Sequence, residues 1–275
     1  MREQLKSALA AVRKNAPLVQ CITNFVTVND CANIILAAGG SPTMAMDARE
    51  VEEAVRDVSA LVCNMGAIES VEAMILAGKE ANRLGIPVIL DPVAAGGTQL
   101  RRDSVKRLLD EVQFAAIRGN ASEIRYLAGQ GSTGSGVDVS AMDAVTEENL
   151  PLAAEMLREL AKRTGSVIAL SGVLDVISDG ERTLALANGC ATMSRITGSG
   201  CMLTSLIGAF CGASPKEPFA AACAAMAAMG IAGELAEELR LQKGAGNFTF
   251  RGDLIDSVFL LTEQQLEDKI RERLI

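Results

Sequence analysis

The sequence predicts an α/β protein in which a mostly parallel sheet is covered by helices on both faces, and three observations predict it. Short segments that are apolar throughout alternate with longer segments of helical periodicity, as in buried parallel strands joined by crossover helices. Gly, Asn, Asp and Ser fall repeatedly at the carboxyl ends of those apolar segments, the edge of a parallel sheet where a ligand crevice forms. A composition that is 49% hydrophobic but only 3% aromatic, with no Trp, suits a core of aliphatic strands and Ala-rich helices. The 275 residues show no compositional shift that would mark a linker, so one domain spanning 1–275 is expected.

Residues 1–14 alternate charged and apolar side chains as an amphipathic helix does. Residues 18–23 read as a strand, and 24–29 turn into an apolar helix over 31–38 that is closed by Gly39-Gly40. A short strand over 42–45 and a charged, exposed helix over 48–57 lead to the buried strand 60–64. Gly66 follows, and Ser70 caps a helix over 71–84 that stops at Gly85. Residues 87–90 form an apolar strand ending in Asp91-Pro92, and a helix over about 104–112 precedes the strand 114–117. Arg118-Gly119-Asn120 then opens a short helix over 121–128, closed by Gly129. Residues 130–143, rich in Gly and Ser, are expected to form a flexible loop.

A helix over 150–163 leads to the strand 166–170, the turn Ser171-Gly172, and two strand pieces, 175–178 and 183–186, with the hairpin signal Asp179-Gly180 between them. The turn Thr197-Gly198-Ser199-Gly200-Cys201 opens a helix in which Met202, Leu203, Leu206, Ile207 and Phe210 recur at helical spacing. An Ala-rich helix over about 218–241 and two amphipathic helices complete the chain, which contains no internal repeat.

Composition excludes several functions. A net charge of −8 without a basic cluster argues against a nucleic-acid or anionic-membrane partner. The N-terminus lacks the apolar core of a secretory signal, and the most apolar stretch, 218–231, is short for a membrane span and is followed by Glu234, Glu237 and Glu238. A cytoplasmic protein is expected. Its seven cysteines form an odd set without a Cys-x-x-Cys pair, which is reduced, buried usage. The absence of histidine rules out Ser-His-Asp and Cys-His catalysis and His-ligated zinc, leaving Asp, Glu, Cys, Lys or Tyr126 as general base.

The glycine turn at 197–201 is the most informative stretch. A helix start leaves amides without intrahelical partners and carries a partial positive charge, and glycines let a phosphoryl group approach without meeting a Cβ. Cys201 would stand where the dipole lowers a thiol pKa, although phosphates nearby would raise it. The plainer alternative is a glycine connection into a buried helix with Cys201 as a small core residue. Asn24, Met44, 64–66, Asp91, 118–120 and 171–172 each end or follow an apolar strand. Singly these are turn formers; together they bring Asp91, Glu123 and Arg118 to the rim that holds the glycine turn. Phosphoryl transfer asks for that set: carboxylates for Mg²⁺, amide donors for the moving group, and a base for the acceptor hydroxyl, here Cys201 or Asp91. Glu123 alone could equally be an early-helix residue stabilised by the dipole. No Gly-x-x-x-x-Gly-Lys-Ser/Thr loop is present, and 131–136 does not follow a strand as a dinucleotide fingerprint does.

The turn 197–201 resembles the anion-hole motif of the ribokinase-like superfamily, with Cys201 where most members carry a catalytic Asp, and Asn120-Ala121-Ser122-Glu123 resembles its Asn-x-x-Glu metal motif. The cysteine variant, with Ile22-Thr23-Asn24-Phe25-Val26, Ser41-Pro42-Thr43-Met44-Ala45, Leu90-Asp91-Pro92-Val93 and Arg118-Gly119-Asn120-Ala121, is similar to the hydroxyethylthiazole kinase family in particular, from about residue 16 to the C-terminal helices. The resemblance implies a three-layer α/β/α fold and transfer of the ATP γ-phosphate to the hydroxyl of 4-methyl-5-(2-hydroxyethyl)thiazole in thiamine salvage. It implies Asn24, Val26, Met44 and Gly198 for the thiazole; Arg118, Asn120, Ser171 and Thr197 for ATP; Asp91 and Glu123 for Mg²⁺; and Cys201 with Gly198, Ser199 and Gly200 for catalysis. Ser171 departs from the family's usual Thr but keeps the hydroxyl. The family is trimeric, with pockets shared between subunits. Left open are another small-alcohol kinase of the superfamily, acting on a hydroxymethylpyrimidine or pyridoxal-like alcohol, a related dehydratase of hydrated nicotinamide nucleotides, and a thiazole or nucleotide binder without turnover.

Overall fold

The computed structural model describes residues 1–130 and 144–275. The loop expected over 130–143 lies, apart from Gln130, outside the described residues.

The first half of the chain runs α1 (Arg2–Asn15), β1 (Leu18–Ile22), α2 (Val28–Ala38), β2 (Ser41–Thr43), α3 (Val51–Ala54), β3 (Ala60–Asn64), α4 (Val71–Leu84), β4 (Val88–Asp91), α5 (Gln99–Glu111), β5 (Ala116–Asn120) and α6 (Ala121–Leu127). The second half runs α7 (Leu150–Thr164), β6 (Val167–Ser171), β7 (Asp175–Ser178), β8 (Thr183–Leu186), α8 (Ser199–Ala213), α9 (Pro218–Lys243), α10 (Asn247–Leu260), α11 (Glu263–Lys269) and β9 (Glu272–Leu274). The strands form one sheet in the order β2-β1-β3-β4-β5-β6-β7-β8-β9. Neighbours from β2 to β6 are parallel, and β7, β8 and β9 each add antiparallel.

The central strands are mostly apolar because both faces are covered. Val19, Cys21, Val62, Ile89 and Ala169 point into a core shared with α1, α2, α8, α9 and α10. The residues between them, Ile22, Leu61, Cys63, Leu90 and Ile168, point the other way, against α4, α5 and α7. This alternation makes three layers, as expected. Helix α9 is longer than the apolar stretch read from the sequence: its 26 residues have the length and hydropathy of a membrane span, but 89% of the apolar window is buried, so it serves as a core helix.

Three local differences occur, two of them with a physical reason. The helix expected over 48–57 is a single turn, α3, followed by a 3₁₀ turn at Val55–Asp57. Helix α5 starts at Gln99 rather than near 104, because the Thr98 side chain accepts from the Arg101 amide at 3.3 Å and so caps a first turn that has no apolar face. Strand β9, whose sequence Glu-Arg-Leu carries no strand signal, exists through its ladder with β8.

Candidate active site

The parallel strands deliver their last residues to one edge: Asn64 from β3, Asp91 from β4, Asn120 from β5 and Ser171 from β6. Helix α8 begins over that edge. Its cap, Gly198, sits at φ +82°, a left-handed conformation that glycine adopts without strain, and it offers no side chain to the helix start. The first helical bond runs from the Met202 amide to the Gly198 carbonyl at 2.8 Å. The amides of Ser199, Gly200 and Cys201 therefore have no intrahelical acceptor, and the positive end of the dipole lies among them. A Cβ at position 198 would lie 2.5 Å from Thr27 Cγ2, and one at 200 would overlap the Arg118 guanidinium.

On one side of this helix start lies Arg118, whose guanidinium donates to Ser171 Oγ and reaches to 3.8 Å from Asp91 Oδ2. Arg118, Asn120, Ser171, Ser199 and Gly200 line a cavity of about 860 Å³ that continues between residues 188–194 and α9, where Met226 and Met229 face it. On the other side, Asn24 Nδ2 donates to Cys201 Sγ at 3.5 Å, and Asn24 Oδ1 accepts from the Thr27 amide and hydroxyl. Val26, 57% exposed, stands in the turn leading into α2, and Met44 follows β2, half-buried against the core beneath α8. Asn24, Val26, Met44, Thr197 and Cys201 are not among the cavity's lining residues. The site residues thus separate into two groups that meet at residues 198–201.

Asp91 lies beneath, fully buried. Its Oδ2 accepts from Thr204 Oγ1 at 2.8 Å and from Asn64 Nδ2 at 3.1 Å, while Oδ1 is buried without a hydrogen-bond partner among the described residues. Burial pushes the carboxyl up to about 6; the Arg118 charge opposes that shift and the Glu123 charge adds to it. Glu123 and Asn120 close a capping box at the start of α6: Asn120 Oδ1 accepts from the Glu123 amide at 2.9 Å and Glu123 Oε2 from the Asn120 amide at 2.8 Å. Glu123 Oε1 accepts from the Ala94 amide at 2.9 Å. No cluster of three or more His, Cys, Asp or Glu residues able to hold a metal occurs among the described residues. Two carboxylates, one with an unpartnered oxygen, beside a cavity with room for phosphates fit Mg²⁺, which keeps several waters and takes few protein ligands.

The Cys201 thiol corrects an expectation. It lies at the helix start as read, but its pKa is raised, first by burial and then by the Asp91 charge, against the donors Thr27, Asn64 and Asn24. The dipole does not prevail there. Sequence reasoning passed over Thr204, one helical turn beyond Gly200, where an unremarkable helix hydroxyl turns out to hold Asp91. It also passed over Asp175, at the start of β7, whose Oδ1 accepts from the Gly172 amide at 2.9 Å at the cavity wall; desolvation pushes its carboxyl up to about 7. Thr204 could have been found by its helical register with Gly200, whereas Asp175 gives no signal beyond a strand-start acid.

Comparisons with known proteins bear on family and fold. The model of the hydroxyethylthiazole kinase family matches residues 9–264. A hydroxyethylthiazole kinase of Desulfovibrio desulfuricans is 47% identical over 262 residues, covering 92% of each chain. One of Clostridium beijerinckii is 46% identical over 273 residues, covering 98% of this chain and 97% of its own. The solved structure of a hydroxyethylthiazole kinase protein from Pyrococcus horikoshii OT3 superposes with a TM-score of 0.86 at 33% identity and 99% coverage of both chains. A pyridoxal kinase from Staphylococcus aureus, solved with AMP-PCP and pyridoxal, reaches a TM-score of 0.57 at 15% identity over 79% of this chain and 87% of its own, so the two share a fold. With the model matching nearly the whole chain and relatives close to half identical along its length, the chain belongs to the hydroxyethylthiazole kinase family.

Proposed function

We propose that the chain transfers the γ-phosphate of ATP to the hydroxyl of 4-methyl-5-(2-hydroxyethyl)thiazole. The observation that carries this reading, beyond family membership, is the α8 start, where three amides stand between Arg118 with its cavity and Asn24 with Cys201. In this reading the nucleotide fills the cavity, with Arg118, Asn120 and Ser171 on its phosphates and ribose side and Thr197, outside the cavity lining, next to the helix start. The thiazole lies by Asn24, Val26 and Met44, its hydroxyl towards Gly198 and Cys201. The hydroxyl oxygen forms the new bond to the γ-phosphorus as the bond to the β-phosphate oxygen breaks, and the amides of Ser199, Gly200 and Cys201 hold the charge on the moving group. Asp91, through Oδ1, and Glu123 would hold Mg²⁺, which supplies charge neutralisation for the phosphates. Cys201 orients the hydroxyl and accepts its proton. Only the thiolate form of Cys201 can accept that proton, so turnover through this base follows the thiolate fraction.

Residues 1–275 act as one ribokinase-like domain, supported by the single sheet that runs from Leu18 to Leu274. The protein works in the cytoplasm, consistent with seven free cysteines. It assembles as a homotrimer, supported by the exposed apolar side chains Phe25, Leu36, Phe248 and Phe259.

The test is Mg²⁺- and ATP-dependent phosphorylation of the thiazole, run beside a hydroxymethylpyrimidine and pyridoxal. Turnover selective for the thiazole is expected; turnover of one of the other alcohols instead would reassign the substrate within the superfamily, and tight thiazole binding without product would make the chain a binder.

A further inference from the structure

Asn64, at the end of β3, is 1% exposed and uses both ends of its amide. Its Oδ1 accepts from the Gly66 amide at 2.8 Å and from Asn24 Nδ2 at 3.4 Å, while its Nδ2 donates to Asp91 Oδ2 at 3.1 Å. Asn24 is committed in turn, its Oδ1 to Thr27 and its Nδ2 to Cys201 Sγ as well as to Asn64. A continuous hydrogen-bonded chain therefore runs Thr27–Asn24–Asn64–Asp91–Thr204 beneath the start of α8. With Thr204, Asn64 occupies Oδ2 of Asp91 and so decides that Oδ1 is the oxygen left without a partner. The backbone is shaped to this chain: a Cβ at Gly66 would lie 2.7 Å from both Asn24 Nδ2 and Asn64 Oδ1. The Asn64 amide has partners at both ends, which fixes its orientation, and among the described residues the chain leaves Asp91 Oδ1 alone without one.

We propose that Asn64 is a positioning residue that holds Asn24, on the acceptor side, in register with the Asp91 carboxylate, so that the acceptor hydroxyl beside Cys201 meets the phosphoryl group in line. The proposal rests on the phosphotransfer reading above. Two substitutions strike different links of the hydrogen-bonded chain. Asn64→Asp keeps an acceptor for Gly66 and Asn24 but sets a second carboxyl, in place of the amide donor, against Asp91. Gly66→Ala brings a Cβ within 2.7 Å of both Asn24 Nδ2 and Asn64 Oδ1 and so wedges the Asn64 to Asn24 link without changing the group that faces Asp91, and no left-handed φ makes alanine strained there.

The experiment combines steady-state kinetics, thermal unfolding, and calorimetric binding of the thiazole alone, without nucleotide or divalent cation. For Gly66→Ala, we expect the thiazole Kd and KM to rise about tenfold with the ATP KM unchanged, and for Asn64→Asp kcat to fall about 100-fold with thiazole Kd within about threefold of wild type, the scale of a misplacement of about 1 Å. Asn64→Ser, which reaches neither partner, should combine both effects and stands in if the aspartate variant does not fold. Folded variants with wild-type constants, or losses that track only the folded fraction, would overturn the positioning role. Absence of turnover in the wild type would overturn the phosphotransfer reading instead, and the calorimetric comparison of Gly66→Ala with wild type would still decide the Asn64 to Asn24 link.

Discussion

At Cys201 two electrostatic effects oppose each other. A helix start favours thiolate by about 0.3–1 kcal/mol. Burial and the adjacent Asp91 carboxylate outweigh it, and the thiol stays protonated at neutral pH. If Cys201 takes the hydroxyl proton, kcat should rise with pH through the alkaline range as thiolate forms, and Cys201→Ala should lower kcat about 100-fold or more, the usual reach of a general base, with the ATP KM little changed. Cys201→Asp, which restores the superfamily's usual residue, should keep activity and lose the alkaline rise. A pH–rate profile from 6 to 10 on the three proteins decides this, since a flat wild-type profile is incompatible with the base role. Asp91 makes the opposite kind of prediction. Its folded carboxyl titrates at about 6, above the 3.8 of an unstructured aspartate, so its neutral form favours the fold below about pH 4 and that contribution is lost as pH rises through 6. Asp175, raised to about 7, acts in the same direction. The ligand-free protein should therefore melt at a higher temperature at pH 5 than its other carboxylates alone would allow. Asp91→Asn, an isostere of the neutral acid, should raise the melting temperature at pH 7 while reducing turnover at least about 100-fold, the trade of stability for function seen at strained sites. A lower melting temperature would show that the Arg118 and Thr204 contacts outweigh desolvation.

The element that separates legible from illegible is α6. From the sequence, Asn120-x-x-Glu123 could be a metal motif or an ordinary helix start, and the structure displays a capping box with both reciprocal bonds. One carboxylate thus has a structural duty and a proposed functional one, and two substitutions pull them apart. Asn120→Ala removes the cap and should lower stability by about 1 kcal/mol. Glu123→Gln keeps one acceptor oxygen and turns an NH2 donor towards the other of the Asn120 and Ala94 amides, so it should cost about 1 kcal/mol, like Asn120→Ala, but unlike that variant should raise the Mg²⁺ concentration for half-maximal rate and lower activity at least tenfold. Unaltered Mg²⁺ dependence in Glu123→Gln would reduce the residue to its capping duty. The same division explains what the sequence revealed of the whole fold. Apolar strands β1, β3, β4 and β6 and the glycine-closed α2 and α4 announce themselves because burial on both faces and left-handed caps need particular residue types. The start of α2 at Val28, the start of α5 and strand β9 do not, because the two helix starts follow local side-chain bonds, Thr27 to Asn24 and Thr98 from Arg101, and β9 follows its ladder with β8, none of which shows in apolar periodicity. Strand-end residues were legible as a rim for the same reason that they are functional: a parallel sheet sends every carboxyl end to one edge. Asp175 and Thr204 were not, since their roles depend on which neighbours the fold supplies.

For the whole molecule, the distribution of exposed apolar surface is uneven. Helix α10 buries Phe250, Leu254 and Val258 against the core but leaves Phe248, Phe259 and Leu260 at 78%, 66% and 66% exposure. Phe248 and Phe259 are eleven residues apart, three turns of helix, and so share one face. Helix α2 lies alongside, joined to α10 by Arg251 at 3.6 Å from Asp30, and it exposes Leu36, while Phe25 stands 85% exposed in the turn that leads into it beside Asn24. An apolar face of this kind on a protein with a net charge of −8 is where subunit contact would overcome charge repulsion. It also borders the acceptor side of the site. Contact there would cover Phe25 and Val26 and shield the hydroxyl from water, so assembly and acceptor binding should be linked. Phe248→Asp, on the exposed face, should convert the proposed trimer to monomer without unfolding it and should raise the thiazole KM more than the ATP KM. Sedimentation equilibrium with steady-state kinetics on the same preparation tests both halves. A monomeric wild type would refute the assembly, and a monomeric variant with unchanged thiazole KM would uncouple it from the pocket.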